Sequence, residues 1–301
     1  GVIGVGHLGS IHARIYSQLK SAQLIAVCDV RPARAETVAR PLGCRATTDY
    51  RDLLGAVGAV SIAVPTRSHF EIAKAFLSQG IPSLVEKPMT QTLEEADQLL
   101  KLSKETGTIL TVGHVERFNG ALTRARTILT DPRFVEVHRL APFQPRGTEV
   151  GVVLDLMIHD LDLLLWLVKA PVRRVEAVGV KVLTPFEDIA NARVVFENGA
   201  VANVTASRIS KEAMRKFRIF QPDAYVSMDF LGQAVDLYRH ENQQITHERL
   251  TISGEEPLKA ELTAFLEAVR RGLPPAISGQ EARESLALAL NITDLVQQNH
   301  P

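Results

Sequence analysis

Cysteine is nearly missing from this chain. Cys28 and Cys44 are the only two, and they stand at no metal-ligand or redox spacing, so we expect ordinary buried thiols in a reducing compartment, no disulfide and no metal site. Net charge is missing too. Lys plus Arg and Asp plus Glu each number 34, and without an excess of either sign no field recruits nucleic acid or an anionic membrane surface. No apolar run is long and uninterrupted enough to span a bilayer, and no charged segment followed by a short apolar one opens the chain. These absences predict a cytoplasmic protein with neither nucleic acid nor membrane as partner. The chain opens on Gly1 inside an apolar run rather than on Met, and we expect a short stretch ahead of it. What is present is a length of 301 residues, enough for a sizeable core and more in keeping with two domains than one. Small-molecule chemistry is the class that composition favours.

The first half alternates in type. Val2 to Val5 is apolar and too short for a helix, and it leads into Gly4, Gly6 and Gly9 and a helical pattern from His7 to Leu19. A G-x-G-x-x-G run between strand and helix allows a tight turn and close backbone approach to a pyrophosphate at the helix N-terminus, here with His7 and Leu8 inside the turn. The next apolar run, Leu24 to Cys28, ends in Asp29, about twenty residues beyond the last glycine, where an acid bonds the adenosine ribose hydroxyls. A cap or turn role before Arg31-Pro32 is the lesser alternative. An acid there repels a ribose 2′-phosphate, which favours NAD over NADP. Arg31 weighs the other way, because it can meet such a phosphate.

A predicted short strand at Arg45 to Thr47 and strands at Ala59 to Val64, Ile81 to Val85 and Ile109 to Val112 alternate with helical patterns at Pro32 to Arg40, Tyr50 to Leu54, Phe70 to Gln79 and Leu93 to Thr106. That alternation predicts an α/β Rossmann domain with a doubly wound parallel sheet. Ligands of such sheets lie at the carboxyl ends of the strands, and three polar clusters fall there. Pro65-Thr66-Arg67-Ser68-His69 offers Pro65, Thr66 and His69 to a cofactor, although His69 equally suits a helix N-terminus. Glu86-Lys87-Pro88 puts a lysine at a strand's end, where the proline holds it out of helical conformation; a solvated turn lysine is the commoner alternative. Gly113 to Asn119 brings Glu116 and Arg117.

Val152 to Val168 is nearly all apolar, yet Asp155, His159 and Asp162 stand at i, i+4 and i+7, one stripe of a helix. Charge on a buried helix must be paired, hydrogen-bonded or put to use. Either Asp155 and His159 form a half-wetted pair one turn apart, or an acid and an imidazole face a cleft.

Taken in order, Gly4-x-Gly6-x-x-Gly9, Pro65 to His69, Glu86-Lys87-Pro88 and Asp155-x-x-x-His159-x-x-Asp162 resemble the glucose-fructose oxidoreductase, inositol dehydrogenase and MocA family of nicotinamide-dependent sugar oxidoreductases. Each motif alone is weak; the set covers most of the chain and is specific. The resemblance implies that Lys87, Asp155 and His159 are the catalytic trio. It implies cofactor contacts from Gly4, Gly6, His7, Leu8, Gly9, Asp29, Arg31, Pro65, Thr66, His69, Glu86 and Lys87, and substrate contacts from Lys87, Glu116, Arg117, Arg146, Asp155 and His159. Met157, where many members carry glycine, departs from the pattern and bears on substrate size and helix approach. Gly113 to Asn119, with Arg139-Leu-Ala-Pro-Phe and Pro145-Arg-Gly-Thr, is similar to members that oxidise the 3-hydroxyl of UDP-N-acetylglucosamine for lipopolysaccharide precursors. A diphosphate sugar calls for cationic partners, and Arg117, Arg139 and Arg146 are the candidates, with ordinary surface or interdomain charges as the alternative.

The implied chemistry removes a hydroxyl proton while hydride leaves the same carbon for nicotinamide. His159 is the expected base, since an imidazole titrates near neutrality. Asp155 would fix its tautomer and stabilise the imidazolium, and Lys87 would donate to the developing alkoxide or share the base role. Two rivals stand beside this reading. A dehydrogenase of free inositol or another unactivated polyol would need no diphosphate arginines, and a non-catalytic NAD-sensing module would need neither the lysine nor the acid-histidine stripe.

In the second half, period-2 runs at Phe134 to Leu140, Val172 to Val182, Ala190 to Phe196, Ala200 to Ser207, Lys216 to Phe220, Tyr225 to Phe230 and Ala234 to Tyr238 predict a large, mostly antiparallel sheet, with Asn198-Gly199 as a hairpin turn. Helices are predicted at Leu258 to Arg271 and Gln280 to Gln298. The expected division is 1–120 for the NAD-binding domain and 121–301 for an α+β substrate-binding and oligomerisation domain. One sheet face should be covered by the Val152 to Val168 helix. On the other, Arg193, Asn203, Thr205 and Ser207 supply polar groups while Val195, Val201, Val204 and Phe217 keep it fairly apolar, which predicts a homo-oligomer, dimer or tetramer, formed through that sheet. Trp166 extends the Asp155 stripe and either walls the pocket or belongs to the core.

Overall fold

The computed structural model describes residues 1–145, 148–241, 243–252 and 254–298. They group into two compact units, Gly1–Val115 with Leu258–Arg283, and Glu116–Pro257 with the segment from Glu284 onward. The sequence placed the division at residue 120 and gave everything after it to the second domain. The difference lies in helix α7 (Pro257–Arg271), whose Leu262 and Phe265 are buried in the same apolar cluster as Val2, Val5, Ala13, Ile15 and Val27 of the first unit. Burying a side chain of that size is worth about 2 kcal/mol, so α7 follows its apolar face rather than its place in the chain.

The first unit is built on six parallel strands: β1 (Val2–Ile3), β2 (Ala26–Cys28), β3 (Arg45–Thr47), β4 (Val60–Ile62), β5 (Ser83–Glu86) and β6 (Leu110–Gly113), in the order β3-β2-β1-β4-β5-β6. The order reverses between β1 and β4, and at such a switch point a crevice opens beyond the strands' carboxyl ends. Helices α1 (His7–Gln18), α2 (Pro32–Leu42), α3 (His69–Ser78) and α4 (Leu93–Thr106) connect the strands. Their ends follow local chemistry. α2 begins on Pro32, whose fixed φ suits the first turn, and stops at Gly43 with φ of 65°. At α4, Thr92 accepts from the Glu95 N–H at 3.3 Å while Glu95 accepts from the Gln91 N–H at 3.0 Å. Tyr50–Leu53 forms one short 3-10 turn instead of the expected helix.

The second unit carries eight strands, β7 (Phe134–Leu140), β8 (Val172–Val180), β9 (Ile189–Phe196), β10 (Val201–Ser207), β11 (Met214–Gln221), β12 (Ala224–Asp229), β13 (Ala234–Glu241) and β14 (Gln244–Leu250), in the order β14-β13-β12-β11-β7-β10-β9-β8. Neighbours are antiparallel except β7 and β10, which run parallel. The β9–β10 hairpin turns at Asn198-Gly199, where Gly199 has φ of 84°. The inner face, with Val135, Val137, Val194, Val204, Phe217 and Ile219, shares one apolar cluster with residues of the short helix α5 (Gly120–Ala125), of α6 (Ile158–Val168) and of α8 (Gly279–Gln298).

The outer face differs from expectation. Val204 and Phe217 are 0% and 1% exposed, because strand alternation turns them inward, and Ser207 is also buried. Arg193, Asn203 and Thr205 do alternate outward with Val195 and Val201, and Arg193 bonds Asn203 across the hairpin at 3.1 Å. Beside those two valines the outer face carries five rings in direct cross-strand succession: Phe134, Phe220, Tyr225, Tyr238 and His247, with successive centroids 5.5, 4.5, 5.3 and 4.5 Å apart.

Candidate active site

In the first unit the glycine turn is shaped by close approach. Gly4 has φ of 81°, and a Cβ on Gly9 would lie 1.8 Å from the Gly4 carbonyl oxygen, so no side chain fits there. The turn delivers α1 with Gly6 at its cap position, no side chain capping it and no acid in its first turn. His7 and Leu8 are exposed beside it. A helix start left bare in this way suits a pyrophosphate, which accepts from its amides and meets the positive end of its dipole. Asp29 follows β2 and is 6% exposed. Its carboxylate accepts from the Val5 amide at 3.2 Å and from the Arg31 amide at 3.0 Å, which aligns it next to the turn. The exposed Arg31 therefore meets Asp29 through its backbone. The side chain on that carboxylate is Arg34, 3.5 Å away and passed over in the sequence.

Pro65 precedes a 3-10 turn, Thr66–Ser68, that runs into α3. Pro65 is exposed and Thr66 half-buried. His69 is 1% exposed, and its ring bridges two backbone carbonyls, Nδ1 to Pro88 and Nε2 to Val64, each at 2.9 Å. Burial pushes its pKa down against those two acceptors. The ring thus ties the Pro65 loop to the loop carrying Lys87. Lys87 stands half-buried directly after β5, and its amide donates to Glu86 Oε2 at 3.3 Å. Glu86 is 7% exposed, and its Oε1 lies 3.2 Å from Nε2 of His12, a wholly buried residue of α1 that the sequence analysis did not single out.

In the second unit the expected continuous helix begins differently. Val153–Met157 forms one π turn before α6, so Asp155 lies in the π turn and His159 in the first turn of α6, both half-buried. Single π turns of this kind occur mostly within helices, often where function demands an altered side-chain direction. Glu187, 3% exposed, braces the start: its carbonyl accepts from the Val152 amide at 2.9 Å and its carboxylate from the Val153 amide at 3.4 Å. The carboxylate fills the place a side chain on Gly151 would take.

The other acids of the stretch are bound internally. Asp162 is fully buried and takes the Arg117 Nε and Nη2 at 2.7 Å each, with Ser285 Oγ at 3.0 Å. Asp160 takes the Arg139 Nε and Nη2 at 2.7 and 2.8 Å, and Arg139 Nη1 reaches Glu116 at 2.9 Å. Burial disfavours the Arg139 cation, but Asp160 and Glu116 outweigh that and push its pKa up. Burial pushes Asp160 up, with Arg139 opposing; the paired short bonds are those of an ionised pair. Glu116, Arg117 and Arg139, read as substrate contacts or interdomain charges, are thus members of a buried ion network inside the second unit. Arg215, in register with Arg139 and 3.7 Å from Glu116, has a side chain 47% exposed and is the network's route to solvent. Trp166 lies with Arg117 and Arg126 guanidinium groups 5.3 and 4.8 Å from its ring. Arg146 lies outside the described residues. Among the described residues there is no cluster of His, Cys, Asp and Glu suited to a metal and no helix long and apolar enough to cross a membrane.

A parallel sheet wound in this order, a bare glycine turn at its switch point and an acid at the end of β2 define a dinucleotide-binding α/β protein, here with a second α+β unit. Residues 1–114 match the model of an oxidoreductase family with an NAD-binding Rossmann fold, and residues 116–226 match the GFO/IDH/MocA C-terminal domain. The chain belongs to the GFO/IDH/MocA oxidoreductases, NAD(P)-dependent dehydrogenases acting on CH–OH groups. It is 40% identical to the UDP-N-acetylglucosamine 3-dehydrogenase of Acidithiobacillus ferrooxidans over 99% of this chain and 96% of that enzyme. The solved structure of that enzyme superposes with a TM-score of 0.94, covering 99% of this chain and 97% of the other. The chain is 27% identical to the scyllo-inositol 2-dehydrogenase (NAD(+)) of Bacillus subtilis over 100% of this chain and 94% of that enzyme. A levoglucosan dehydrogenase in complex with NADH, at 19% identity, shares the fold with a TM-score of 0.91, over 99% of this chain and 96% of that one.

Proposed function

We propose that this dehydrogenase oxidises a nucleotide sugar, UDP-N-acetylglucosamine to its 3-keto form. The observation that carries the reading is the 40% identity along 99% of the chain to an enzyme of that activity, against 27% for an inositol dehydrogenase of matching length. Gly4, Gly6, His7, Leu8 and Gly9 hold the dinucleotide pyrophosphate and Asp29 the adenosine ribose. Arg31, Pro65, Thr66 and Glu86 complete the cofactor's surroundings, and His69 positions the Pro65 loop. When bound, NAD accepts the hydride. His159 takes the hydroxyl proton, Asp155 fixes the imidazole tautomer, and Lys87 donates a hydrogen bond to the substrate oxygen as it gains charge. With Arg117 and Arg139 committed to carboxylates, Arg146 and Arg215 are the arginines assigned to the diphosphate.

The test is NAD reduction by the purified protein with UDP-N-acetylglucosamine and, separately, with myo-inositol. Turnover is expected with the first and negligible with the second; the reverse result would reassign the chain to unactivated polyols, and NAD binding without turnover of either would make it a sensor. The same reading puts the protein in the cytoplasm, supplying a keto nucleotide sugar for lipopolysaccharide precursors. The ring ladder and polar edge of the outer sheet face support self-association there.

A further inference from the structure

We infer that His12 is a positioning residue for the reaction, acting through Glu86 to set the backbone from which Lys87 projects. The inference rests on the role proposed for Lys87. His12 is on the sheet side of α1, 0% exposed, one turn before Tyr16, whose hydroxyl shares a 2.7 Å hydrogen bond with Ser61 of β4. That bond fixes the rotation of α1 about its axis and points His12 at the end of β5. There its Nε2 lies 3.2 Å from Glu86 Oε1, while Glu86 Oε2 receives the Lys87 amide at 3.3 Å. The third side is closed by Gly113, the β6 partner of Glu86: a Cβ on Gly113 would stand 2.7 Å from Oε1, so the carboxylate occupies the room that only glycine leaves.

Replacing a buried charged pair by well-packed apolar residues of the same volume is often neutral or stabilising, so stability is a weak reason for an imidazole and a carboxylate to stand together here. What the pair supplies is rigidity at one place. The helix that starts at the glycine turn and the strand end that carries Lys87 meet at a single carboxylate, which accepts the Lys87 amide, has His12 Nε2 at ion-pair distance outside hydrogen-bond geometry, and fills the space beside Gly113. A proton-handling or alkoxide-binding group is effective only when its reach is fixed before substrate arrives, and displacement by about 1 Å costs on the order of 100-fold in rate.

The experiment uses the full chain with NAD and UDP-N-acetylglucosamine, and compares wild type, Lys87→Ala, His12→Leu, His12→Gln and the double variant His12→Leu/Lys87→Ala. His12→Leu is expected to lose about 100-fold in kcat while its calorimetric Kd for NAD stays within about threefold of wild type. His12→Gln, whose amide reaches the Nε2 position, recovers most of the loss. On the Lys87→Ala background His12→Leu costs nothing further. If His12→Leu is insoluble, His12→Asn, whose amide stops short of Glu86, takes its place. A His12→Leu enzyme with wild-type kcat, or one that loses NAD binding instead, overturns the inference, as does a double variant whose losses multiply. Wild-type turnover by Lys87→Ala is a different failure, because it removes the role of the lysine itself.

Discussion

Arg117 places two nitrogens on Asp162 at 2.7 Å each in a site closed to solvent. Truncating it strands a buried carboxylate, so Arg117→Ala should cost about 3–5 kcal/mol, measured by chemical denaturation, and Arg117→Lys should recover little because an ammonium cannot reproduce the two-pronged contact. The sequence held this residue open between a diphosphate contact and an interdomain charge; neither side chain type nor spacing tells which carboxylate a guanidinium meets after folding. Lys87 was more legible, since a lysine between a strand and a proline has few places to go. Lys87→Ala and His159→Ala should each lower kcat by orders of magnitude with NAD affinity retained by calorimetry, and wild-type rates in both would remove the proposed trio. Asp29 was read correctly as an acid at the end of β2, but Arg34 was missed because a helix-surface arginine has no distinguishing pattern.

The loop between β8 and β9 is an element organised by one side chain. Asp188 accepts from the amides of Val182, Leu183 and Thr184 and from the Thr184 hydroxyl. Burial opposes its ionisation, yet the amides of Leu183, Thr184 and Val182 outweigh burial and hold the carboxyl at about 2, below its ordinary 3.8. A carboxyl depressed by folding contributes stability that is complete above the unfolded value and lost as pH falls through the folded one. The loop should therefore hold fully above about pH 4 and loosen towards pH 2. Asp188→Asn should flatten that part of the stability-against-pH curve; an unchanged acid limb would count against it. The preceding residue, Glu187, braces the π turn bearing Asp155. Periodicity located that helix, because its polar residues Asp155, His159 and Asp162 repeat at i, i+4 and i+7 in an otherwise apolar stretch. It gave no sign of the π turn, whose first amides are met by a residue about thirty positions downstream in sequence. Strand β14 went unread because six of its seven residues are exposed and no alternation remains to see.

At the scale of the molecule, alternating strands and helices made the first unit legible, and period-2 runs made the second a sheet. The return of α7 to the first unit was not legible, since an amphipathic face does not name the surface it will cover. Val204 and Phe217 were misplaced on the outer face; Val204 is out of step with Val201, Asn203 and Thr205, which do alternate outward on the same strand. For the outer face the expected outcome is an oligomeric mass by light scattering that Tyr225→Arg reduces to that of a single chain; a monomeric wild type would remove the proposal. The five rings have a second effect. Each stacks on the ring of the adjoining strand, so a slide of one residue by any strand from β11 to β14 would point its ring to the opposite side and interrupt the column. The column works as an alignment key, and the outermost strand, β14, which buries Leu250 alone of its seven residues, is kept true to its neighbour by the stacking that begins at Phe134.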